Sequence, residues 1–455
     1  MTTSIGDSEA TGASGDPPGV SALPVRTYAA DVLGRAGEAV VLRGWLHRQR
    51  RLAAVSFLII RDSSGLVQVV VRDSTLAAEL ASLVEESVLE VRGTVVANAQ
   101  APGGAEVVDP VVEVLVAPVA PPPFDLYRPQ VTAALPTQLD HAAVALRHPA
   151  RQTVQRIAAA AVAGFRSTLD GRGFVEVHTP KIVASATESG ANVFALDYFG
   201  RTAYLAQSPQ FYKQVMVGAL ERVYEVGPVF RAEPHDTARH LASYVSLDAE
   251  LGFIDDHRDV MTVLRDVVGG MLAMIAERVP SVVDLVGALP VVPAEIPALH
   301  FRDALAMVGA STGEDLSGEP DLAPAHERWL GEWALREHGS DFVFVTGYPM
   351  QKRPFYTHPE PGDPRWSNSF DLLFRGLELV TGGQRLHRYE DYLAALERSG
   401  QPVEPYEGYL ESFRHGMPPH GGFAIGLERF VARLTGAANV REVTLFPRDL
   451  HRLAP

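Results

Sequence analysis

Between residues 39 and 118 the chain carries five short runs rich in β-branched residues: "AVVLRGWLHR", "AVSFLIIRD", "LVQVVVRD", "VLEVRGTVVAN" and "AEVVDPVVEVLVAP". Gly, Asp-Ser-Ser-Gly and Pro-Gly-Gly turns separate them, so each reads as a strand. Five strands this short and this close predict a small closed barrel. A chain of 455 residues is far too long for that barrel alone. Roughly two or three domains are expected, and a hydrophobic share of 46% is ample for their cores.

A five-stranded barrel that presents one face to oligonucleotides is the OB-fold. Its first hairpin here carries Arg48, Arg50 and Arg51 with Trp45, His47 and Phe57 nearby, the mix of cations and rings against which single-stranded bases stack. A solvated hairpin around a core tryptophan would look the same, and on this segment alone the two readings weigh equally. After the barrel, "APVAPPPFDLYRPQ" breaks all periodicity and reads as a linker. The opening "MTTSIGDSEATGASGDPPGV" is acidic, rich in Gly, Ser and Pro, and lacks the apolar stretch of a signal peptide. Disorder is expected there. No apolar run approaches the length that spans a bilayer, so a cytoplasmic protein with no membrane partner is expected.

The chain has no cysteine. Disulfides, thiolate metal sites and a cysteine nucleophile are excluded, and any metal must be held by oxygen or imidazole. A formal net charge of -15 argues against a protein that coats nucleic acid indiscriminately, and leaves room for a local basic patch.

Past the linker, "ARQTVQRIAAAAVAGFRSTLDGRGF" has helix periodicity and a Gly stop, followed by the strand "VEVHTP". Strands then dominate, with helices expected near 208–220, 256–278, 386–399, 404–415 and 426–435. That irregular alternation favours an antiparallel α+β domain over a doubly wound one. No internal repeat, P-loop or GxGxxG after a strand is present, so a nucleotide would bind without those cradles.

The densest charge lies in "FRAEPHDTARHLASYVSLDAELGF", residues 230–253, between two apolar strands. Alternation puts Arg231 and Glu233 on one face at a strand end, "PHDTARH" forms the loop, and "HLASYVSLDAELGF" returns as a strand. The guanidinium forks of Arg231 and Arg239 can grip a triphosphate while Tyr244 offers adenine a stacking face. Taken alone, such a hairpin is more often a surface laced with ion pairs. Near the C-terminus, "GGFAIGLERFVARLTGAANVREVTLFPRD" sets a Gly-rich strand directly before a helix that opens with Glu428 and Arg429. Backbone can then approach a ligand closely, and Arg429 can reach it.

Together with "HTP" at Pro180, and in this order, these segments resemble the three signature motifs of class II aminoacyl-tRNA synthetases. "TPKIVASATESG", "YLAQSPQFYKQ", "SFDLLFRGLELVTGGQR", "FRHGMPPHGGFAIGLER" and "LFPRDLHRLAP" are similar, almost segment for segment, to archaeal-type aspartyl-tRNA synthetases. The resemblance spans residues 27 to 455. It implies a disordered extension at 1–26, an OB-fold anticodon-binding domain at 27–119, a linker or hinge at 120–149, and a class II catalytic domain at 150–455. The implied fold class is α+β, with the barrel followed by an antiparallel sheet flanked by helices. The implied activity is ligation of L-aspartate to tRNA(Asp) through an aspartyl-adenylate, with bent ATP, Mg2+ and a homodimer whose contact includes Pro180.

The resemblance also assigns roles. Arg231 matches the arginine that clamps the α-phosphate, Glu233 the residue that contacts adenine, Arg239 and His240 the γ-phosphate side, and Arg429 the arginine at the far end of ATP. Arg231 and Arg429 are the catalytic pair, and Leu241, Tyr244, Glu378, Gly426, Leu427 and Glu428 complete the nucleotide set. Asp371, Glu378 and Thr381 match the metal side. Lys213 and Arg385 would supply two cations to the aspartate side chain, and asparaginyl enzymes usually lack the lysine. Glu188 and Gln210 would hold the α-amino group, with Arg231, Tyr356, Thr381 and His420 lining the pocket. Trp45, His47, Arg48, Phe57 and Gln100 fall on the anticodon side. Relatives that accept only tRNA(Asp) tend to carry tryptophan at the His47 position, whereas those accepting tRNA(Asn) too tend to carry histidine with a loop resembling "NAQAPGG" at 98–104. An imidazole with a donor and an acceptor would tolerate either third anticodon base. The expectation is an enzyme that charges both tRNAs, with an amidotransferase as downstream partner.

Three departures stand out. Thr381 replaces the usual serine, Ala242 and Ser243 replace the polar residue and glutamate of "HLxEF", and "LAAV" replaces a Gly-Gly at the barrel hairpin, stiffening it slightly. Two rival readings remain at this point: an asparaginyl or asparagine-forming paralogue, opposed by Lys213 and the barrel respectively, and a non-catalytic tRNA-binding or regulatory paralogue, hinted at by Ala242 and Ser243.

Overall fold

The computed structural model describes residues 25–184 and 192–454, so most of the expected N-terminal extension, and Glu188, fall outside the described residues. The chain separates into two compact units at Thr132/Ala133. In the first, β1 (Ala39–Arg51), β2 (Ser56–Arg61), β3 (Leu66–Val71), β4 (Val88–Ala97) and β5 (Ala105–Val116) close into a barrel in the order β1-β2-β3-β5-β4. Alternate residues point inward, and Leu42, Leu46, Leu58, Ile60, Val69, Leu89, Val91 and Val107 fill the interior. The pairing of β1 with β2 slips between Leu46 and Arg48, which makes His47 the extra residue of a bulge. Bulges re-aim a side chain, and at this one His47 is buried against Arg61.

The second unit is built on an eight-stranded sheet. Its strands are β6 (Val175–Glu176), β7 (Arg222–Phe230), β8 (Ser243–Gly252), β9 (Ala298–His300), β10 (Phe342–Thr346), β11 (Ser369–Phe374), β12 (Leu377–Gln384) and β13 (His420–Gly426), in the order β9-β10-β11-β12-β13-β8-β7-β6. The six inner strands are antiparallel, as expected, and only the two edge strands pair in parallel. Period-two alternation gives the sheet two unlike faces. Leu247, Ala249 and Leu251 of β8, with Phe370 and Leu372 of β11 and Phe423 and Ile425 of β13, join the main apolar core. Ser246, Asp248 and Glu250 point the other way, opposite Gly426, Ala424 and Gly422 of β13. One face is thus oily, and the other is a floor of polar side chains beside residues too small to fill the space above it.

Two long helices cover the oily face. α1 (Pro149–Asp170) starts where His148 accepts the Ala150 N–H, and α3 (His257–Arg278) where Asp256 accepts that of Arg258. The polar face is bordered by α2 (Gln210–Leu220), α6 (Tyr389–Arg398) and α7 (Glu407–Arg414), while α8 (Leu427–Thr435) packs with α1 into the main core and brings only its first turn to the polar side. Among the helices beyond the expected set, the two longest are α4 (Phe301–Thr312) and α5 (Pro324–His338). Phe301, Ala304, Leu305 and Val308 of α4 do sit at helical spacing and are buried. The small alanines between them keep the apolar stripe faint in the sequence. No helix among the described residues is long and apolar enough to cross a membrane.

α1 and α3 cross with almost no side chain between them. A Cβ added at Gly164 would lie 2.5 Å from the Gly270 carbonyl oxygen, whereas one at Gly269 would meet nothing within 4 Å. Gly164→Ala should therefore cost about 1–3 kcal/mol through overpacking. Gly269→Ala should gain about 0.5–1 kcal/mol from helix propensity. Thermal melts of the two variants should move in opposite directions.

Candidate active site

The charged hairpin forms as β7, a loop and β8. β7 ends at Phe230, one residue before Arg231, and the Arg231 N–H donates to the Ala242 carbonyl to close the loop's base. Ala242 in turn donates from its N–H to the Arg448 carbonyl, and Ser243 bridges to Arg448 through backbone. The unusual Ala242 and Ser243 therefore leave this closure intact. The tip is anchored by a residue that the sequence did not flag: Arg441 bonds the Thr237 carbonyl at 3.0 Å, Asp236 at 3.2 Å and Asp449 at 2.5 Å.

Above the sheet's polar face lies a cavity of about 380 Å3 lined by Arg231, Glu233, Arg239, His240, Leu241, Tyr244, Glu378, Thr381, Gly426, Glu428 and Arg429. Nearly all of the expected nucleotide set is brought together here. Leu427 is the exception, since its side chain packs into the core. Arg231 sits 6.0 Å from the centroid of the Tyr244 ring, so the ring's face is shared with a cation. His240 accepts or donates at Nδ1 with Thr237 Oγ1 at 2.6 Å, and burial followed by the Arg429 charge pushes its pKa down. Glu428 is buried with no cation beside it. Its carboxylate accepts the Val245 N–H at 3.1 Å, and burial raises its pKa to about 7.

Asp371 and Glu378 stand on neighbouring strands; Glu378 lines this cavity, and both line a smaller one that shares Arg239, His240 and Arg429 with it. Arg375 and Gly376, both at positive φ, form the tight turn between β11 and β12. A register slip after it lets Leu379 bulge, so Glu378 and Thr381 end on one side, with Thr381 opposite Asp371. Burial raises Asp371 to about 6, against the pull of Arg353, whose Nη2 lies 3.2 Å from Oδ1, and with a push from Glu378. Glu378 pairs at 3.6 Å with Arg429. Among the described residues no cluster of three or more acidic, His or Cys side chains is placed for a metal. Two carboxylates that raise each other's charge cost, with a hydroxyl alongside, still fit a hard cation that brings substrate oxygens as its other ligands.

Beside the cavity lies a fully buried cluster. Lys213 Nζ contacts Asp248 at 3.0 Å, Glu250 at 3.2 Å and the Phe423 carbonyl at 3.3 Å, while Arg385 reaches Glu250 at 2.9 Å and the Gly422 carbonyl at 3.1 Å. The two cations expected for the aspartate side chain lie together here, paired with Asp248 and Glu250, which the sequence reading passed over. The ammonium donates to Asp248 and to the Phe423 carbonyl and lies against Glu250, whose Oε2 has no hydrogen bond, and the guanidinium keeps N–H groups to offer. The signal for the carboxylates was the alternation of Ser246, Asp248 and Glu250 on one strand face. His420 is buried, donates from Nδ1 to the Pro418 carbonyl, and accepts at Nε2 from Gln214; burial pushes its pKa down to about 4. Tyr409 completes that chain by donating to Gln214 at 2.5 Å. Gln210 is buried, with Nε2 unbonded, and Tyr356 faces Arg385 at 5.6 Å. Pro180 is exposed between Thr179 and Lys181, both of which contact Glu225.

On the barrel, His47 departs from the exposed residue that the hairpin suggested. It is 5% exposed, and Nδ1 lies 3.2 Å from Nη1 of Arg61, itself held by two contacts to Glu86 at 2.7 and 2.9 Å. A guanidinium can only donate. His47 Nδ1 is therefore the acceptor and the ring's proton sits on Nε2, so the ring does not offer both roles outward. Trp45 faces Arg61 at 5.7 Å, Arg48 stacks over Tyr127 at 3.9 Å, Phe57 is half-buried opposite Arg50, and Gln100 is exposed on the 98–104 loop.

Residues 134–450 match the family model for class II tRNA synthetases (D, K and N), and residues 40–115 match the OB-fold nucleic acid binding domain. The chain is 46% identical over 436 residues to the aspartate–tRNA(Asp/Asn) ligase of Thermus thermophilus, covering 95% of this chain and all of that one. It is 44% identical to the protein of the same name in Aeropyrum pernix, over 92% of this chain and 96% of that one. Among solved structures, asparaginyl-tRNA synthetase from Pyrococcus horikoshii with asparaginyl-adenylate superposes with a TM-score of 0.88 at 33% identity, over 95% of this chain and 100% of that one.

The lone buried carboxyl of Glu428 makes stability fall with pH. Because its folded pKa of about 7 exceeds the usual value of 4.5, its contribution is intact below about 4.5 and is lost as pH rises through about 7. Glu428→Gln can still accept the Val245 N–H and carries no charge. Denaturation across pH 5 to 8 should show the variant gaining on the parent as pH rises, by on the order of 3 kcal/mol at pH 8.

Proposed function

The chain belongs to the class II tRNA synthetases (D, K and N), and we propose from that premise that it uses ATP to ligate L-aspartate to tRNA(Asp) and also to tRNA(Asn). The observation that carries the amino-acid choice is the buried Lys213–Asp248–Glu250–Arg385 cluster beside the arginine-lined cavity. Arg385, with N–H groups to spare, meets the aspartate side-chain carboxylate, and Lys213 keeps Asp248 and Glu250 from repelling it. An amide in the same place would offer that guanidinium one neutral oxygen in place of two charged ones, a weaker match for its spare N–H groups.

In the first step an oxygen of the aspartate α-carboxylate attacks the α-phosphorus, the bond from that phosphorus to the bridging oxygen breaks, and pyrophosphate leaves with the electron pair. Arg231 holds the α-phosphate, and Arg239, His240 and Arg429 the far phosphates. These cations are placed before charge develops, so they need no reorganisation at the moment of reaction. Glu233 contacts adenine, Tyr244 stacks on it, and Leu241, Gly426, Leu427 and Glu428 shape its cradle, with Leu427 offering backbone alone. Mg2+, held by Asp371, Glu378 and Thr381, would neutralise phosphate charge. Gln210 and Glu188 hold the α-amino group, with Tyr356 and His420 at the pocket wall. In the second step the 3′-hydroxyl of the terminal adenosine attacks the carbonyl carbon, and AMP leaves. No side chain forms a covalent bond.

Use of tRNA(Asn) is supported by the name that the relatives share and by a histidine rather than tryptophan at position 47. The Trp45, Arg48, Phe57 and Gln100 side of the barrel takes the anticodon. Aspartate on tRNA(Asn) must be amidated before use in protein synthesis, so an amidotransferase is the partner that consumes it. A homodimer is supported by the exposed apolar side chains of Val175, Ile182 and Phe199 around Pro180, and the cytoplasm is where these substrates meet. The test is aminoacylation with aspartate on transcripts of both tRNAs. Both should be charged at comparable rates, and His47→Trp should depress tRNA(Asn) selectively. Charging of tRNA(Asp) alone by the unaltered chain would refute the dual assignment.

A further inference from the structure

A second cavity, of about 480 Å3, adjoins the first, and Arg239, Arg429 and Val440 line both. Its remaining wall brings Arg328 of α5 and Arg433 of α8 to the same space. A smaller cavity of about 190 Å3 carries Arg239, Arg429, Asp371 and Glu378, so the candidate metal carboxylates open toward the same arginines. The electrostatics are lopsided. The one carboxylate in the wall of the large cleft is Glu327, which accepts the Glu378 N–H at 2.9 Å and is pushed by burial toward its neutral form. Arg433 spends its N–H groups on the carbonyls of Phe374 and Arg375, which leaves its charge uncancelled. Among the described residues neither Arg239 nor Arg328 has an ion-pair partner.

Arg328 is also held rigidly. A Cβ on Gly376, at φ 72°, would come within 2.8 Å of the Arg328 Cα, and one on Gly331 within 2.4 Å of the Gly376 N. Helix α5 thus lies backbone against backbone on the β11–β12 turn, and no flexible side chain sets the distance. Arg328, on this closely seated backbone and without an ion-pair partner among the described residues, lines the second cavity and not the first.

We propose that this cleft is the binding site and exit route of pyrophosphate, in which Arg328 takes over the leaving group from Arg239 and Arg429. The inference rests on the ligase reading above. Fully paired arginines would give a polyanion nothing to move toward. Arg239 and Arg328, without ion-pair partners among the described residues, and Arg429, met by Glu378 at 3.6 Å, give it a handrail out of the site, and by reversibility a way in.

Aspartate-dependent ATP–pyrophosphate exchange at varied pyrophosphate tests this on the full chain. Arg328→Glu should raise the KM for pyrophosphate by about tenfold or more, the usual worth of a charged hydrogen bond. The KM values for ATP and aspartate should stay within about twofold, Arg328→Lys should recover most of the loss, and Arg336→Glu, on the same helix but away from the cleft, should change nothing. An unchanged pyrophosphate KM in Arg328→Glu overturns the proposal. So does a rise confined to the KM for tRNA, which would make the cleft an acceptor-stem contact. No exchange in the unaltered protein would instead overturn the ligase reading itself.

Discussion

Four charges that water never reaches, Lys213, Arg385, Asp248 and Glu250, hold the amino-acid side of the site together. Burying any one alone would cost several kcal/mol, and removing one partner would leave another charge stranded. The cluster is tolerable because it is balanced and nearly every polar atom is used. It ties α2, β8, β12 and β13 into one body: Lys213 comes from the helix, the carboxylates from β8, Arg385 from just past β12, and the accepting carbonyls from β13. Gln214, His420, Tyr409 and Tyr392 form a second ring of hydrogen bonds around it. The ring is neutral, since His420 is kept from protonating.

The nucleotide side is built on the opposite plan. Arg231, Arg239 and Arg429 stand around an open cavity, and Asp371 and Glu378 are each met by a single arginine. The two halves suit two substrates. A small zwitterion is recognised by a rigid, prepaired lattice, whereas a triphosphate is drawn in by charge that the protein leaves unbalanced. Both depend on the same device, a sheet whose one face is oily and whose other face carries polar side chains opposite glycine and alanine.

Much of this was legible in the sequence. The five barrel strands follow from β-branched runs and turn residues, and Arg231, Glu233, Arg239 and Arg429 follow from motifs whose order and spacing are distinctive. What was not legible depends on partners distant in sequence. Asp248 and Glu250 look like ordinary strand polar residues until Lys213 and Arg385 are brought beside them. Lys213 looks solvated unless Gln210, Gln214 and Val217 are read as one buried helical stripe. His47 appeared to be an exposed reader with both hydrogen-bonding roles, because a bulge and a contact to Arg61 cannot be seen in a hairpin's alternation. The bulge at Leu379, which puts Glu378 and Thr381 on one side, is hidden for the same reason.

The central claim is that a balanced buried cluster, rather than a pair of bare cations, selects aspartate. Isothermal titration with non-hydrolysable analogues of the two adenylates addresses it most directly, since neither chemistry nor tRNA intervenes. The aspartyl analogue should bind at least about a hundredfold more tightly than the asparaginyl one, because a carboxylate gives the N–H groups that Arg385 has left over two charged acceptors where an amide gives one neutral oxygen. Equal affinities would contradict the account.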